Sequence, residues 1–228
     1  MTTRRTFSMT ALGALAGYWS CRDALAQAAD PEEVDPLQRK GAPTGRVGAA
    51  TRGIQRGGPA ATLDLVAPQK GVGLTSIDSP TLYYMLSDGA NAPLRLTITT
   101  KGEARPLADQ ELPRPLSRFS SVDLSALKVR LTPGPVYIWS VSLRLDPNVP
   151  AHDLVASALI QYQPGTPAFV KALQDATADQ RHTLLAQNGY WYDEVALAAH
   201  DYPHDNGVAL TDLLRKAGLQ AGTSSSAH

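Results

Sequence analysis

The sequence predicts an α+β protein, in which an antiparallel, immunoglobulin-like β-sandwich is followed by a small C-terminal helical appendage. Between residues 61 and 163, short runs of β-favouring residues are separated by turn residues without an intervening helical pattern, which is typical of a sandwich. Between residues 164 and 218, apolar residues recur at helical spacing between capping residues. We therefore expect one sheet region with helices packed against it.

The β segment contains six predicted strands. Leu94, Leu96 and Ile98 alternate with polar residues, so one face of this strand should be buried and the other exposed to water. Neighbouring residues on a strand face opposite ways, so one of Tyr83 and Tyr84 should be buried and the other exposed. The strands are predicted at residues 62–66, 81–86, 94–99, 119–124, 136–145 and 154–162.

The first two predicted helices have clear boundary residues. Thr166 followed by Pro167 is typical of an N-cap and a first helical turn. Thr177 and Gln180 have the spacing of a capping box at the start of the second helix. Gly189 follows an asparagine and should end that helix in the left-handed conformation.

Two further helices complete the segment. Trp191 begins a pattern of helical spacing that we expect to stop at Pro203, because proline removes a helical hydrogen bond. A last helix should end at Gly218 and should bury a single apolar stripe. The stripe consists of Leu210, Leu213, Leu214 and Ala217.

Residues 1–26 are predicted to be a signal peptide. Arg4 and Arg5 supply a positive charge before an apolar stretch, and Ala24 and Ala26 form a small-residue cleavage site. The paired arginines resemble a twin-arginine export leader, and an ordinary secretory leader is the alternative. Cleavage before Cys21 with lipidation of that cysteine is a second alternative. We expect a periplasmic protein without a membrane span after processing, because a span needs about 20 apolar residues.

After removal of the predicted signal peptide, the chain has a small net charge and no cysteine. Residues 27–60 are rich in glycine, proline and arginine and predict a flexible linker, and residues 219–228 predict a disordered tail. The leader holds three of the 21 basic residues and one of the 21 acidic residues, so 18 and 20 remain. A net charge of −2 does not favour nucleic acid as a partner. Without Cys21 the chain has no thiolate nucleophile and no disulfide.

Tyr190, Trp191, Asp193 and Glu194 form the first candidate binding site. Aromatic rings beside carboxylates can hold a sugar, and paired carboxylates can cleave one. Adjacent helical residues, however, point about 100° apart, so the two carboxylates should not converge on one bond. We therefore favour packing of the rings in the core, with a carboxylate capping a strand end or a neighbouring helix.

His200 and His204 form a weaker candidate site for a metal. Two histidines four residues apart on a helix can bind zinc from one face. Pro203 lies between them, and we expect it to place them in a polar loop between two helices. No phosphate-binding loop, dinucleotide fingerprint or serine-nucleophile motif is present, and no cofactor is predicted.

The order of several short motifs resembles an uncharacterised bacterial family, domain of unknown function 928. The resemblance spans residues 41–218 and implies an exported bacterial protein without an established activity. It is carried by Gly41–Arg46, Thr51–Gly53, Leu65–Pro68, Gly73–Thr75, Ser79–Tyr84, Tyr137–Trp139, Asp146–Pro147 and Gly189–Asp193.

These observations predict an exported cell-envelope protein that acts as a non-catalytic binding or interaction module. Its partner would be an envelope protein or a glycan. Two alternatives remain open at this point. One is a periplasmic carbohydrate-active hydrolase that uses Asp193, Glu194 or the histidines, and the other is a metal-binding protein.

Overall fold

The computed structural model describes residues 46–47, 49–50, 61–87, 92–100, 103, 105–115, 117–145 and 153–219. The predicted signal peptide, with Arg4, Arg5, Cys21, Ala24 and Ala26, lies outside the described residues, as do residues 220–228 of the predicted tail. Leu219, the first residue of that predicted tail, is buried, and its backbone N–H donates to the Leu214 carbonyl at 2.7 Å. None of the described helices is long and apolar enough to cross a membrane.

The described residues form nine strands followed by four helices, which confirms the α+β class. The strands are β1 (Ala49–Ala50), β2 (Thr62–Leu65), β3 (Gly73–Thr75), β4 (Thr81–Leu86), β5 (Leu94–Thr100), β6 (Ala108–Leu112), β7 (Phe119–Asp123), β8 (Val136–Leu143) and β9 (Leu154–Tyr162). The helices are α1 (Pro167–Asp175), α2 (Ala178–Gln187), α3 (Trp191–Asp205) and α4 (Val208–Lys216).

The strands form two sheets. Sheet one has the order β1-β2-β4-β7, and sheet two has the order β3-β9-β8-β5-β6. The prediction of purely antiparallel sheets was wrong for one pair, because β3 runs parallel to β9. The sequence analysis missed β3 because three residues are too few to show alternation. It missed β6 because Asp109 and Glu111 make that strand polar.

Both sheets contribute to one hydrophobic core. The alternation predicted along β5 is observed, with Leu94, Leu96 and Ile98 buried and the residues between them partly exposed. Trp139 of β8 is completely buried in the same core. The inward residues of sheet one are Leu63, Leu65, Leu82, Tyr84, Leu86 and Val122. The immunoglobulin-like topology remains a prediction.

A second core lies between the helices and the outer face of sheet one. Met85 points away from the first core and packs with Val195 of α3 and Leu213 of α4. The predicted apolar stripe of α4 is confirmed, since all four of its residues are buried. Helices α3 and α4 therefore cover sheet one on the side opposite to sheet two.

Most of the predicted helix boundaries are confirmed. Thr166 accepts a hydrogen bond from the backbone N–H of Phe169, and the capping box of Thr177 is present. Gly189 and Gly218 end their helices with φ of 73° and 69°, in the region where glycine is not strained.

The prediction that Pro203 ends the third helix was wrong. Helix α3 continues through Pro203 to Asp205 and ends at Asn206 and Gly207, which have φ of 55° and 73°. The Asp205 carboxylate accepts hydrogen bonds from the backbone N–H groups of Gly207 and Ala209 at 2.7 and 3.0 Å. The stabilised turn lies beyond the proline, so the helix loses a single bond near its end without breaking.

Four residues of the predicted linker are described, and they join the folded region. Val47 exchanges two backbone hydrogen bonds with Ser157 of β9, at 2.7 and 2.9 Å. The guanidinium of Arg46 donates to the Asp64 carboxylate at 3.1 Å and to the Ala217 carbonyl at 2.9 Å. Arg46 therefore joins sheet one to the C-terminus of α4, where a cation is also favoured by the helix dipole.

Replacing Arg46 with methionine should lower the free energy of unfolding by about 1.5–3 kcal/mol, the value of hydrogen bonds to charged groups. The Arg46 side chain is only 12% exposed, so the attraction is poorly screened. Chemical denaturation would measure the change. Arg130→Met is the matched control, because the Arg130–Asp78 pair is exposed and should contribute under about 1 kcal/mol. Equal effects of the two substitutions would contradict the role of Arg46.

Candidate functional site at the start of helix α3

The first turn of α3 holds the predicted candidate residues and lies against β3. The left-handed Gly189 reverses the chain after α2, and the backbone N–H of Tyr190 donates to the Leu185 carbonyl at 3.0 Å. Helix α3 starts immediately afterwards and contacts β3 and β4. The site is therefore positioned by a tight turn between two helices.

Tyr192, between the candidate residues Trp191 and Asp193, is the most deeply buried side chain of this turn. Packing of a tyrosine here was expected from the sequence, but its partners were not. Its hydroxyl accepts a hydrogen bond from Trp139 Nε1 at 2.8 Å and donates one to the Leu159 carbonyl at 2.9 Å. Burial raises the pKa of the Tyr192 hydroxyl, so the group stays protonated and keeps its donor. The side chain connects α3 to β8 and β9.

Asp193 points towards the end of β3. One carboxylate oxygen accepts from the Thr75 hydroxyl at 2.6 Å, and the other accepts from the backbone N–H and the hydroxyl of Ser76 at 2.8 and 2.5 Å. Burial raises the pKa of the Asp193 carboxyl, and the hydrogen bonds from Ser76 and Thr75 act in the opposite direction. Both oxygens are engaged, and Asp193 caps the strand end.

Glu194 lies on a different side of the helix, within the influence of charges on α2 and α4. Burial raises the pKa of the Glu194 carboxyl, while Lys216 and His182 act to lower it. Its neighbour Asp193 is bonded to β3 and the turn after it. The two carboxylates therefore diverge, as the angular spacing of adjacent helical residues requires.

The two aromatic residues at the start of α3 are held by packing. The Tyr190 ring lies against Phe169 of α1, with ring centroids 4.9 Å apart. Trp191 is half-buried between the two hydrophobic cores, and its indole N–H points at the Val66 carbonyl at 3.4 Å. Neither ring forms an exposed platform on which a sugar could stack.

The strand aromatics are also used for packing. Tyr84, Tyr137 and Trp139 are buried. Tyr83 is half-buried and stacks on Phe119, with ring centroids 5.3 Å apart. Among the described tyrosine, tryptophan and phenylalanine residues, Tyr202 is the aromatic side chain that is exposed to solvent. A contiguous aromatic groove is therefore absent from the part of the chain that the structure describes.

His200 and His204 both lie on the exposed side of α3, so the prediction of a polar loop around them was wrong. His200 is paired with the adjacent Asp201, with Nδ1 and Oδ1 3.0 Å apart, and His182 Nε2 lies 3.6 Å from the other oxygen of Asp201. Within the described ranges, no group of three or more histidine, cysteine, aspartate or glutamate residues is placed to hold a metal ion. The two histidines alone offer too few ligands for a structural zinc site.

The comparison with known families identifies one match. The family described as Domain of Unknown Function (DUF928) matches residues 47–227, and the chain belongs to this family. The resemblance predicted from the motif order is thereby confirmed. No curated protein matches the chain.

Replacing Tyr192 with phenylalanine should lower the free energy of unfolding by about 1–3 kcal/mol, because Trp139 Nε1 and the Leu159 carbonyl lose a buried partner. Thermal or chemical denaturation would measure the loss. The control is Tyr202→Phe, which removes a hydroxyl from a tyrosine that is 55% exposed and should change stability by under about 0.5 kcal/mol. A neutral effect at Tyr192 would show that the two hydrogen bonds do not stabilise the fold.

The Glu194→Gln variant should become more stable relative to the wild type as the pH rises. The pKa of the Glu194 carboxyl is higher in the folded protein than in the unfolded chain. At a pH between these two pKa values, the folded protein therefore binds more protons than the unfolded chain. The contribution of Glu194 to the stability of the wild type falls as the pH rises through that interval. Denaturation of both proteins across the acidic range would measure the difference.

The Asp109→Asn variant provides a control of opposite sign. The hydrogen bond from Arg95 lowers the pKa of the Asp109 carboxyl, so this variant should lose stability relative to the wild type as the pH rises. The effect should be small, because the pair is exposed to solvent. A Glu194→Gln profile that follows the Asp109→Asn profile would contradict the assigned direction.

Proposed function

We propose that this chain is an exported, periplasmic cell-envelope protein that acts as a non-catalytic interaction module for an envelope protein or glycan. The proposal includes an immunoglobulin-like packing of the two sheets, which their shared core supports. The observation that carries it is the divergence of Asp193 and Glu194. Asp193 has both oxygens bonded to Thr75 and Ser76, and a pair of carboxylates that cleaves a glycoside must flank the same bond.

The leader supports the export part of the proposal. Arg4 and Arg5 precede an apolar stretch and a small-residue cleavage site, as a twin-arginine leader requires. Replacing both arginines with lysine keeps the positive charge that an ordinary secretory leader uses. We expect this double variant to remain unprocessed in the cytoplasm of a Gram-negative host, measured by cell fractionation. Normal processing of the variant would assign export to the general secretory route.

The interaction part is tested by chemical cross-linking of the full chain in intact cells. We expect a discrete cross-linked envelope component that is retained in the Glu194→Gln variant, because Glu194 serves packing and charge balance rather than chemistry. The same proteins are then incubated with isolated envelope polysaccharide. Release of soluble sugar by the wild type, with loss of release in Glu194→Gln, would contradict a non-catalytic role.

A further inference from the structure

We propose, on the basis of the interaction function proposed above, that the free edge of β7 binds an extended acidic peptide of a partner protein. The peptide would add a strand to sheet one and place an apolar side chain in the cleft beside β7. Strand addition of this kind obtains affinity from backbone hydrogen bonds and specificity from pockets for alternate side chains.

The register of β7 directs the backbone of Ser121 away from β4. The Leu86 N–H donates to the Arg118 carbonyl at 2.9 Å, and the Leu124 N–H donates to the Pro80 carbonyl at 3.2 Å. Alternate residues of an antiparallel strand direct their backbone groups to the same side, so even-numbered residues of β7 bond to β4. Ser121 therefore directs its N–H and C=O to the opposite edge. Within the described residues, neither group has a partner.

The available edge is short and centred on Ser121. The Phe119 carbonyl accepts a hydrogen bond from the Ser117 hydroxyl, and the Asp123 carbonyl accepts one from the Leu127 N–H at 3.3 Å. These two bonds occupy the backbone carbonyl groups on either side of Ser121, which a longer added strand would need. The edge therefore suits a peptide that pairs with β7 over a few residues rather than along a long strand.

The β6 edge of sheet two is protected in a way that the middle of β7 is not. The outer face of β6 carries Asp109 and Glu111, and Pro113 follows the strand directly. Charged side chains and prolines prevent strand addition at sheet edges. The middle of β7 carries two small neutral residues, Ser120 and Ser121, which leave its edge accessible.

A cleft of about 450 Å³ lies beside β7 and has the size for a side chain of the added strand. Tyr84, Leu112, Val122 and Leu127 supply its apolar surface, and Ser121 belongs to its lining. The side chains of a strand alternate between its two faces. A peptide paired with Ser121 could therefore insert one apolar residue into the cleft and expose the next one to solvent.

The charges at the start of β7 favour a carboxylate on the peptide, whereas Asp123 lines the cleft at the other end of the strand. Arg114 lines the cleft, and Arg118 directly precedes β7; both are exposed. Neither forms an ion pair with another described residue, in contrast to Arg46, Arg95 and Arg130. Two unpaired cations at one end of a strand favour a carboxylate on the partner and increase its rate of association.

The test uses peptides selected from a displayed library of random sequences of about nine residues, slightly longer than a typical strand. The library is selected on the full chain, and enriched peptides are measured by fluorescence anisotropy. We expect acidic peptides with an apolar residue, whose affinity falls at least about tenfold in Ser121→Pro, since a backbone donor is lost. Proline is tolerated here because this N–H does not bond to β4. Ser121→Ala keeps the N–H and should bind like the wild type.

A second variant keeps the test decisive if Ser121→Pro lowers the melting temperature. Ala126→Trp places a large side chain at the exposed mouth of the cleft and should also abolish binding. Thr183→Arg, in the separate groove between α1 and α2, is the matched control and should have no effect. Failure to enrich acidic peptides, or equal affinity for the wild type and Ala126→Trp, would overturn the proposal.

Two outcomes separate this inference from the interaction function on which it rests. Peptides that bind equally to Ser121→Pro but not to Thr183→Arg would overturn the β7 site and leave an interaction module with a different surface. Self-association of the wild type that Ser121→Pro abolishes, measured by sedimentation, would assign the edge to a second copy of the chain and would also overturn the inference. Loss of the cross-linked envelope component in Ser121→Pro cells would support both.

Discussion

The fold depends on the passage of the Tyr192 side chain beside Gly73. A Cβ atom at Gly73 would lie 2.6 Å from the Tyr192 ring, a distance that packed atoms cannot adopt without displacement. Because residue 73 is glycine, the ring enters the core, where its hydroxyl meets Trp139 and Leu159. Asp193, the next residue, bonds to Thr75 at the other end of the same short strand. Strand β3 is thus held between two consecutive side chains of α3.

This attachment decides what the candidate residues can do. An acidic residue serves in general acid–base catalysis when it can reach the reacting atoms and exchange a proton with them. Asp193 accepts three hydrogen bonds from Thr75 and Ser76, so proton exchange there would disturb the end of β3. Glu194 is turned towards α2 and α4 by the same helix geometry. Asp193, a candidate catalytic residue in the sequence, therefore attaches helix α3 to strand β3.

Local features of the fold could be predicted from the sequence, and non-local features could not. The alternation of β5, the capping box at Thr177 and the apolar stripe of α4 depend on residues within a few positions of one another. The role of Tyr192 depends on Gly73, more than a hundred residues away, and no local pattern indicates it. Arg46 is similar, since its partner Ala217 lies 171 positions along the chain. At the candidate site, helical spacing alone predicted the divergence of the carboxylates, but not their partners.

The layering of the elements also determines where a partner can approach sheet one. Its inner face shares a core with sheet two, and Met85 on its outer face is buried beneath α3 and α4. Neither face can receive a partner without separating these layers and exposing apolar surface to water. The edge at β7 can, because it would bind through backbone groups of Ser121 that no described residue uses. The attachment of the helices through Tyr192 and the accessibility of the edge at Ser121 thus follow from the same arrangement: covering the faces of a sheet leaves its backbone edge as the place for recognition.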